Sequence, residues 1–243
     1  MQTSVMEQNL IFKDFLDKDA LLLEGLNSKG FFRTQSLPSV VMGLDFKDFD
    51  GYLNSLSHNC RKDLRRKLKR ADSQGALRVD TASNVEAIAD KVYRLYLNTY
   101  ESGTVKFEKL TPDFFINIAR RLKDKVIFYL YYAGGELAAF NLCFIDGETL
   151  IDKFIGFDYS LARKYNLYFF SWCYNVRWCL EKGMRYYQLG QTHYGPKLKL
   201  GGKIIPLFAY LKHRNIFMHQ FLKICARICG PETMVKKIKP DAE

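Results

Sequence analysis

The chain has 243 residues, of which 48% are hydrophobic and 26% charged, enough for a buried core and too apolar for a disordered polypeptide. No apolar run approaches the roughly 20 residues of a membrane span, and the first residues, MQTSVMEQNLIFKDF, lack the basic-then-apolar pattern of a signal peptide. The formal charge of +11 suits polyanionic partners (nucleic acid, CoA phosphates, anionic lipid) without choosing among them. The expected localisation is cytoplasmic.

That charge is uneven. Residues 1–51 carry eight acids and five bases, whereas residues 196–243 carry ten Lys or Arg and three acids. Aromatic residues reach 15%, which fits either an aromatic core or a groove for a flat or extended ligand. Cys60, Cys143, Cys173, Cys179, Cys225 and Cys229 form no CxxC pair, and with four scattered histidines no zinc-ligand set emerges. They read as reduced, mostly buried thiols, and no metal site is expected.

In chain order, IFKDFLDKDALLLEGL has a helical pattern, and FFRTQSLPSVVMGL carries a strand at Val40–Val41 after Pro38. Phe49, Tyr52, Leu53, Leu56, Leu64 and Leu68 recur at helical spacing, and Gly75 closes that segment. ALRVDTAS reads as a strand. Ser83 or Asn84 caps a helix whose apolar stripe is Ile88, Val92, Leu95, Tyr96 and Tyr100. Thr111 and Pro112 open the next helix. Three strands follow, VIFYLYYAGG, ELAAFNLCFID and TLIDKFIGF, joined by Gly134–Gly135 and Asp146–Gly147 turns. The helix LYFFSWCYNVRWCLEKG, the strand MRYYQLG, a polar loop and the strand IIPLFAYLKH come next. A basic amphipathic helix, IFMHQFLKICARICG, ends the order, and Phe217, Phe221, Leu222 and Ile228 are expected to pack on the sheet. The fold class is α/β (α+β), with a mixed, mostly antiparallel sheet flanked by helices.

The stretches LIDKFIGFD, YNLYFFSW, YYQLGQTHYGPK, LKLGG and YLKHRN resemble, in this order, a bacterial branch of the GNAT acyltransferases. That branch is related to the Fem-type aminoacyltransferases and to polysaccharide-associated (cellulose-biosynthesis-like) acyltransferases. The likeness covers roughly residues 50–215. It implies a GNAT fold at 51–215, a remnant of a preceding unit at 1–50, and a C-terminal helix and tail at 216–243. It also implies an acyl donor (acyl-CoA, an acyl carrier protein or aminoacyl-tRNA), no tightly bound cofactor, and an amine acceptor. Oligomeric state is not legible. One departure stands out. CoA-dependent relatives carry a glycine-containing R/Q-x-x-G-x-G/A loop after the fourth strand, whose amides hold the pyrophosphate. Here the place reads DYSLARKYNLYFF, with no glycine.

The candidate site residues follow. Asp152 and Lys153 are neighbours on a strand expected to be buried, so they face opposite sides and each needs a partner or a wet cleft. Asp152 is the candidate general base toward an amine. In the polar loop, Lys197 lies three residues after Tyr194, about one helical turn. The resemblance implies an oxyanion-stabilising role for Lys197, and Gln191, Thr192 and Tyr194 would orient substrate or protonate a leaving group, with His193 beside them. Arg163, Lys164, Tyr165, Asn166 and Tyr168 are candidates for the acyl carrier. RKDLRRKLKR has seven bases in ten residues, and Arg61, Arg65 and Lys69 fall on one helical face, suited to tRNA or another phosphate polymer or simply to solvent. Against the enzyme stands a second reading, an inactive GNAT fold that binds nucleic acid or anionic lipid through its basic surface.

Overall fold

The computed structural model describes residues 9–75, 77–103 and 109–228. Its elements in chain order are β1 (Asn9–Phe15), α1 (Glu24–Ser28), β2 (Phe32–Gln35), β3 (Ser39–Gly43), α2 (Phe49–Ser55), α3 (His58–Ser73), β4 (Leu77–Ala82), α4 (Ala89–Ser102) and α5 (Pro112–Leu122). Then follow β5 (Val126–Ala133), β6 (Glu136–Asp146), β7 (Thr149–Phe157), α6 (Tyr159–Lys164), α7 (Leu167–Glu181), β8 (Tyr186–Gln188), α8 (Tyr194–Lys199), β9 (Lys203–Ile205), β10 (Phe208–His213) and α9 (Ile216–Ile228). The described residues fall into two compact units. The smaller contains those up to Val40, His193–Leu198 and those from Lys203 on; the larger is Val41–Thr192 with Lys199–Gly202.

In the larger unit the sheet runs β4-β5-β6-β7-β8-β3. Every neighbouring pair is antiparallel except β7 with β8, which is parallel. Alternation along β5 sorts the two faces. Val126, Phe128 and Leu130 point into a core with Val92, Leu95, Tyr96 and Phe115 of α4 and α5. Tyr129 and Tyr131 point the other way and meet α7, where Tyr174 contacts both rings at 5.4 and 6.1 Å. Gly134 and Gly135, at φ 61° and 87°, make the β5–β6 turn that only residues without a Cβ adopt freely.

The helix α3 packs on α7. The helical run from Phe49 is not continuous: it breaks at Leu56 and Ser57, where the Ser57 hydroxyl accepts the Cys60 amide at 3.3 Å and starts α3. A 3-10 turn at Glu86–Ile88, with Val85 rather than the expected Ser83 or Asn84 at its N-cap, precedes α4, and Asn84 Oδ1 accepts the Glu86 amide at 2.8 Å.

The smaller unit corrects the sequence reading in four places. The segment from Ile11 was expected to be helical, but it opens with the strand β1, which pairs antiparallel with β10 from Asn9↔His213 to Phe15↔Phe208. Periodicity over a short apolar run cannot separate helix from strand, and the deciding partner lies about 200 residues away. The strand expected at Val40–Val41 is β3, and a further strand that was not expected, β2, lies before Pro38. Pro206 splits the expected strand 204–213 into β9 and β10, because proline gives no ladder donor. The last correction is α9. It seats His219 against Phe32 at 5.1 Å, while Phe217, Phe221 and Ile228 are 83%, 60% and 76% exposed rather than packed. The three-stranded sheet of this unit runs β1-β10-β2. Cys229 lies outside the described residues.

Candidate active site

The parallel pair β7–β8 is short. Its registered partners are Thr149↔Tyr186, Leu150↔Tyr187 and Ile151↔Gln188, and there the pairing ends. Asp152 is the first residue of β7 beyond that point. On the other side of β7, Leu142 pairs with Phe154 and Cys143 with Asp152, so Lys153 is the extra residue of a β-bulge. A bulge re-aims its neighbours and sharpens local twist. Here it leaves Lys153 exposed and turns the half-buried Asp152 toward the α7 face of the sheet.

The carboxylate is held by an oriented chain of donors. Asn141 Nδ2 donates to Asp152 Oδ1 at 2.6 Å, and the Tyr187 hydroxyl donates to Oδ2 at 3.1 Å. Both are positioned by Asn175 of α7, whose Nδ2 donates to Asn141 Oδ1 at 2.7 Å and to the Tyr187 oxygen at 2.8 Å. Asn175 Oδ1 in turn accepts the Tyr131 hydroxyl at 3.3 Å, and Cys143 Sγ donates to Asn141 Oδ1 at 3.2 Å. Asn141, Asn175, Tyr187, Tyr131 and Cys143 are all buried. The donor directions therefore run inward from Tyr131 and Asn175 and converge on one anion, and a network polarised in one sense is stronger than its separate bonds.

Burial first, and then charge, keeps the surrounding acids protonated. Burial raises the Tyr187 hydroxyl well above its ordinary range and the Asp152 charge adds to this. The Cys143 thiol is raised by the same two causes in the same order. Tyr131 is also raised, by burial, by Cys143 and by Asp152. Tyr168, in the first turn of α7 and seven residues before Asn175, is raised by burial and by the Asp152 charge. Its hydroxyl is buried and has no hydrogen-bond partner among the described residues.

The sequence singled out Asp152 but missed Asn141, Asn175 and Tyr187. The signal was available: Asn141 stands in the apolar run AAFNLCF and Asn175 in SWCYNVRWC. A carboxamide among core residues has to be hydrogen-bonded.

The remaining candidates are dispersed. Gln191 and Thr192 are half-buried just after β8, in the larger unit. His193 is exposed, with a left-handed φ of 53°. Tyr194 and Lys197 lie on α8 in the smaller unit. There the Tyr194 hydroxyl donates to the Pro38 carbonyl at 2.8 Å and burial pushes its pKa up to about 12, while Lys197 is buried. Arg163 and Lys164 are exposed on α6. Tyr165 is buried and its hydroxyl donates to the Gln74 carbonyl at 3.2 Å; the Asn166 amide reaches the Lys67 carbonyl at 3.5 Å from a left-handed backbone, φ 49°. The Asp158 carboxylate already takes the first amides of α6, accepting from Ser160 N at 3.0 Å and Leu161 N at 3.1 Å. On α3, Arg65 and Lys69 are exposed, whereas Arg61 turns back to the Asn54 and Leu56 carbonyls at 3.2 and 3.4 Å. Among the described residues no group of three or more His, Cys, Asp or Glu is placed to hold a metal ion.

Residues 58–197 match the Acetyltransferase (GNAT) domain, 140 of 243 residues and so more than half of the chain. The chain belongs to this GNAT family. No curated protein matches the chain in sequence. Two solved structures are similar in fold to this GNAT protein. FemX is 14% identical with a TM-score of 0.61, over 83% of this chain and 71% of FemX. L-PGS from Bacillus licheniformis is 13% identical with a TM-score of 0.58, over 90% of this chain and 72% of that protein. At these identities the likeness concerns the fold, and it extends over the mixed, mostly antiparallel sheet with its flanking helices.

Proposed function

We propose that this GNAT protein is an N-acyltransferase, moving an acyl or aminoacyl group from a carrier to an amine by direct attack, with Asp152 as the general base. The observation that carries the reading is the Asp152 carboxylate at the point where β7 and β8 part, fixed by Asn141 and Tyr187. An amine nucleophile must lose a proton as it adds to the acyl carbon, and a positioned carboxylate accelerates such a step about 10²–10⁴-fold. Tyr168, with a buried hydroxyl that has no partner among the described residues, is suited to donate to a carbonyl oxygen of the donor. Gln191 and Thr192, immediately after β8, serve as acceptor contacts. Lys197, in the smaller unit, is a separate candidate for oxyanion stabilisation, as the resemblance to GNAT acyltransferases implies, and Tyr194 stands one turn from it.

The thiols support direct attack over a covalent enzyme intermediate. Burial raises Cys143 and Cys179 and pushes Cys173 up to about 12, so none of them is a thiolate near neutrality. The half-exposed Cys60 is also raised, by burial and by Asp63, and its Sγ donates to the Lys199 carbonyl at 3.2 Å.

The test is turnover of a donor and amine acceptor by Asp152→Asn across pH. The asparagine keeps the shape and removes the base. The rate is expected to fall about 100-fold or more near neutral pH and to recover in part as pH rises and more acceptor amine loses its proton unaided. A wild-type pH profile in this variant removes Asp152 from the role. Lys197→Ala, assayed in parallel, is expected to lose about 100- to 1,000-fold in kcat with little change in KM; unchanged kcat removes Lys197.

A further inference from the structure

Most of the large apolar side chains of α9 do not face the smaller unit's own sheet. Phe217, Phe221, Ile224 and Ile228 recur at i, i+4, i+7 and i+11, which is one helical stripe, and they are 83%, 60%, 56% and 76% exposed. His219 and Leu222 occupy the opposite side, where the helix meets β2 and β10. A monomer rarely leaves a contiguous stripe of two phenylalanines and two isoleucines in water without a use for it. The same unit exposes Leu21 and Leu22 at 77% and 86%. The charge along this part of the sequence has one sign: from residue 203 to residue 231 there are five Lys or Arg and no Asp or Glu.

We propose that α9 docks this protein on an anionic lipid surface, lying in the plane of the bilayer with the Phe217–Phe221–Ile224–Ile228 stripe among the acyl chains and the surrounding bases at the headgroups. An apolar stripe on a helix that carries bases and no acid of its own is the pattern of an interfacial helix. The thirteen described residues of α9 span about 20 Å against roughly 30 Å for a hydrocarbon core, and no helix among the described residues is long and apolar enough to cross a membrane, which fits a helix lying in the interface. A second copy is the weaker occupant, because apposing two α9 helices brings like-charged bases together, with no Asp or Glu in α9 itself to pair with them. A nucleic acid would match the charge but not the aromatic and aliphatic stripe.

The experiment is flotation of the full chain with vesicles of equimolar phosphatidylcholine and phosphatidylglycerol, compared with phosphatidylcholine alone. The protein is expected to float with the anionic vesicles only and to be released progressively by salt. The double variant Phe217→Ser/Phe221→Ser is expected to partition about tenfold or more weakly, with an unchanged melting temperature because both side chains are exposed. Equal partition of the variant and the wild type overturns the proposal, as does absence of flotation. Self-association that the double variant abolishes, without vesicle binding, assigns the stripe to a second copy instead. Binding of tRNA that the variant loses, again without vesicle binding, assigns it to nucleic acid.

Discussion

Asn175 is the residue on which the candidate site turns. Its amide nitrogen supplies both Asn141 and Tyr187, and its oxygen takes the Tyr131 hydroxyl, so one side chain of α7 sets three groups, two of which touch Asp152. Asn175→Leu fills similar space but leaves a buried carbonyl oxygen, a buried phenol oxygen and a buried hydroxyl short of partners. Each orphaned buried group costs about 1–3 kcal/mol, and partial relaxation brings the expected loss to about 3 kcal/mol, read as a lower urea midpoint. The variant is also expected to change the pH dependence of kcat, because Asn141 is released from the orientation that serves Asp152; a stability loss with an unchanged pH profile makes Asn175 a packing residue only. Asp152 was legible from sequence because a charge in a strand expected to be buried requires an explanation. Its partners were not, because they come from β6, β8 and α7, and only the folded sheet brings Asn141, Tyr187 and Asn175 together.

Among the elements, β7 decides the geometry. It carries the bulge at Lys153, it parts from β8 beyond Ile151, and it packs against α4 through Gly156. A Cβ at Gly156 would meet the Phe140 ring and the carbonyl carbon and oxygen of Leu95, the last two at 2.6 and 2.7 Å. Backbone atoms of a helix cannot swing aside as a side chain can, so Gly156→Ala must push α4 away from the sheet. Overpacking of this kind costs about 1–3 kcal/mol, and the upper end is expected here, measured by urea denaturation; a variant as stable as the wild type would show that α4 shifts freely. The hairpins β5–β6–β7 and the helices α4, α5 and α7 were legible because their signals are local: glycine turns, caps and a 3.6-residue stripe. The strand β1 and the outward apolar face of α9 were not, since pairing partners and the side a helix presents are settled by contacts distant in sequence, whereas the break at Pro206 had a local signal in the proline itself.

At the scale of the whole molecule, the open chemical question is the donor, and charge bears on it directly. A nucleotide pyrophosphate bound on backbone amides needs free N–H groups and room for close approach. After β7 this chain offers neither in the usual form: residues 158–170 contain no glycine, and the Asp158 carboxylate accepts the Ser160 and Leu161 amides and puts a negative charge there. Hydrogen bonds from the Ser160 hydroxyl and the Leu161 amide hold the Asp158 carboxyl below its usual range, so it is charged at neutral pH. The bases are spread out, with Arg163 and Lys164 exposed in the last turn of α6, away from its Asp158 cap, and Arg65 and Lys69 exposed on α3, in a chain of net charge +11. Scattered lysines and arginines hold an extended polyanion better than one compact pyrophosphate. Acetyl-CoA is therefore expected to bind weakly, with a Kd above about 0.1 mM by calorimetric titration. Aminoacyl-tRNA is expected to bind more tightly, with an affinity that falls as salt rises and falls again when Arg65 and Lys69 are neutralised. Since Arg61 is engaged with the Asn54 and Leu56 carbonyls, its neutralisation is expected to lower stability more than tRNA affinity. An acetyl-CoA Kd on the order of 1 μM would reverse this reading and make CoA the donor, with the pyrophosphate held on amides other than those Asp158 occupies.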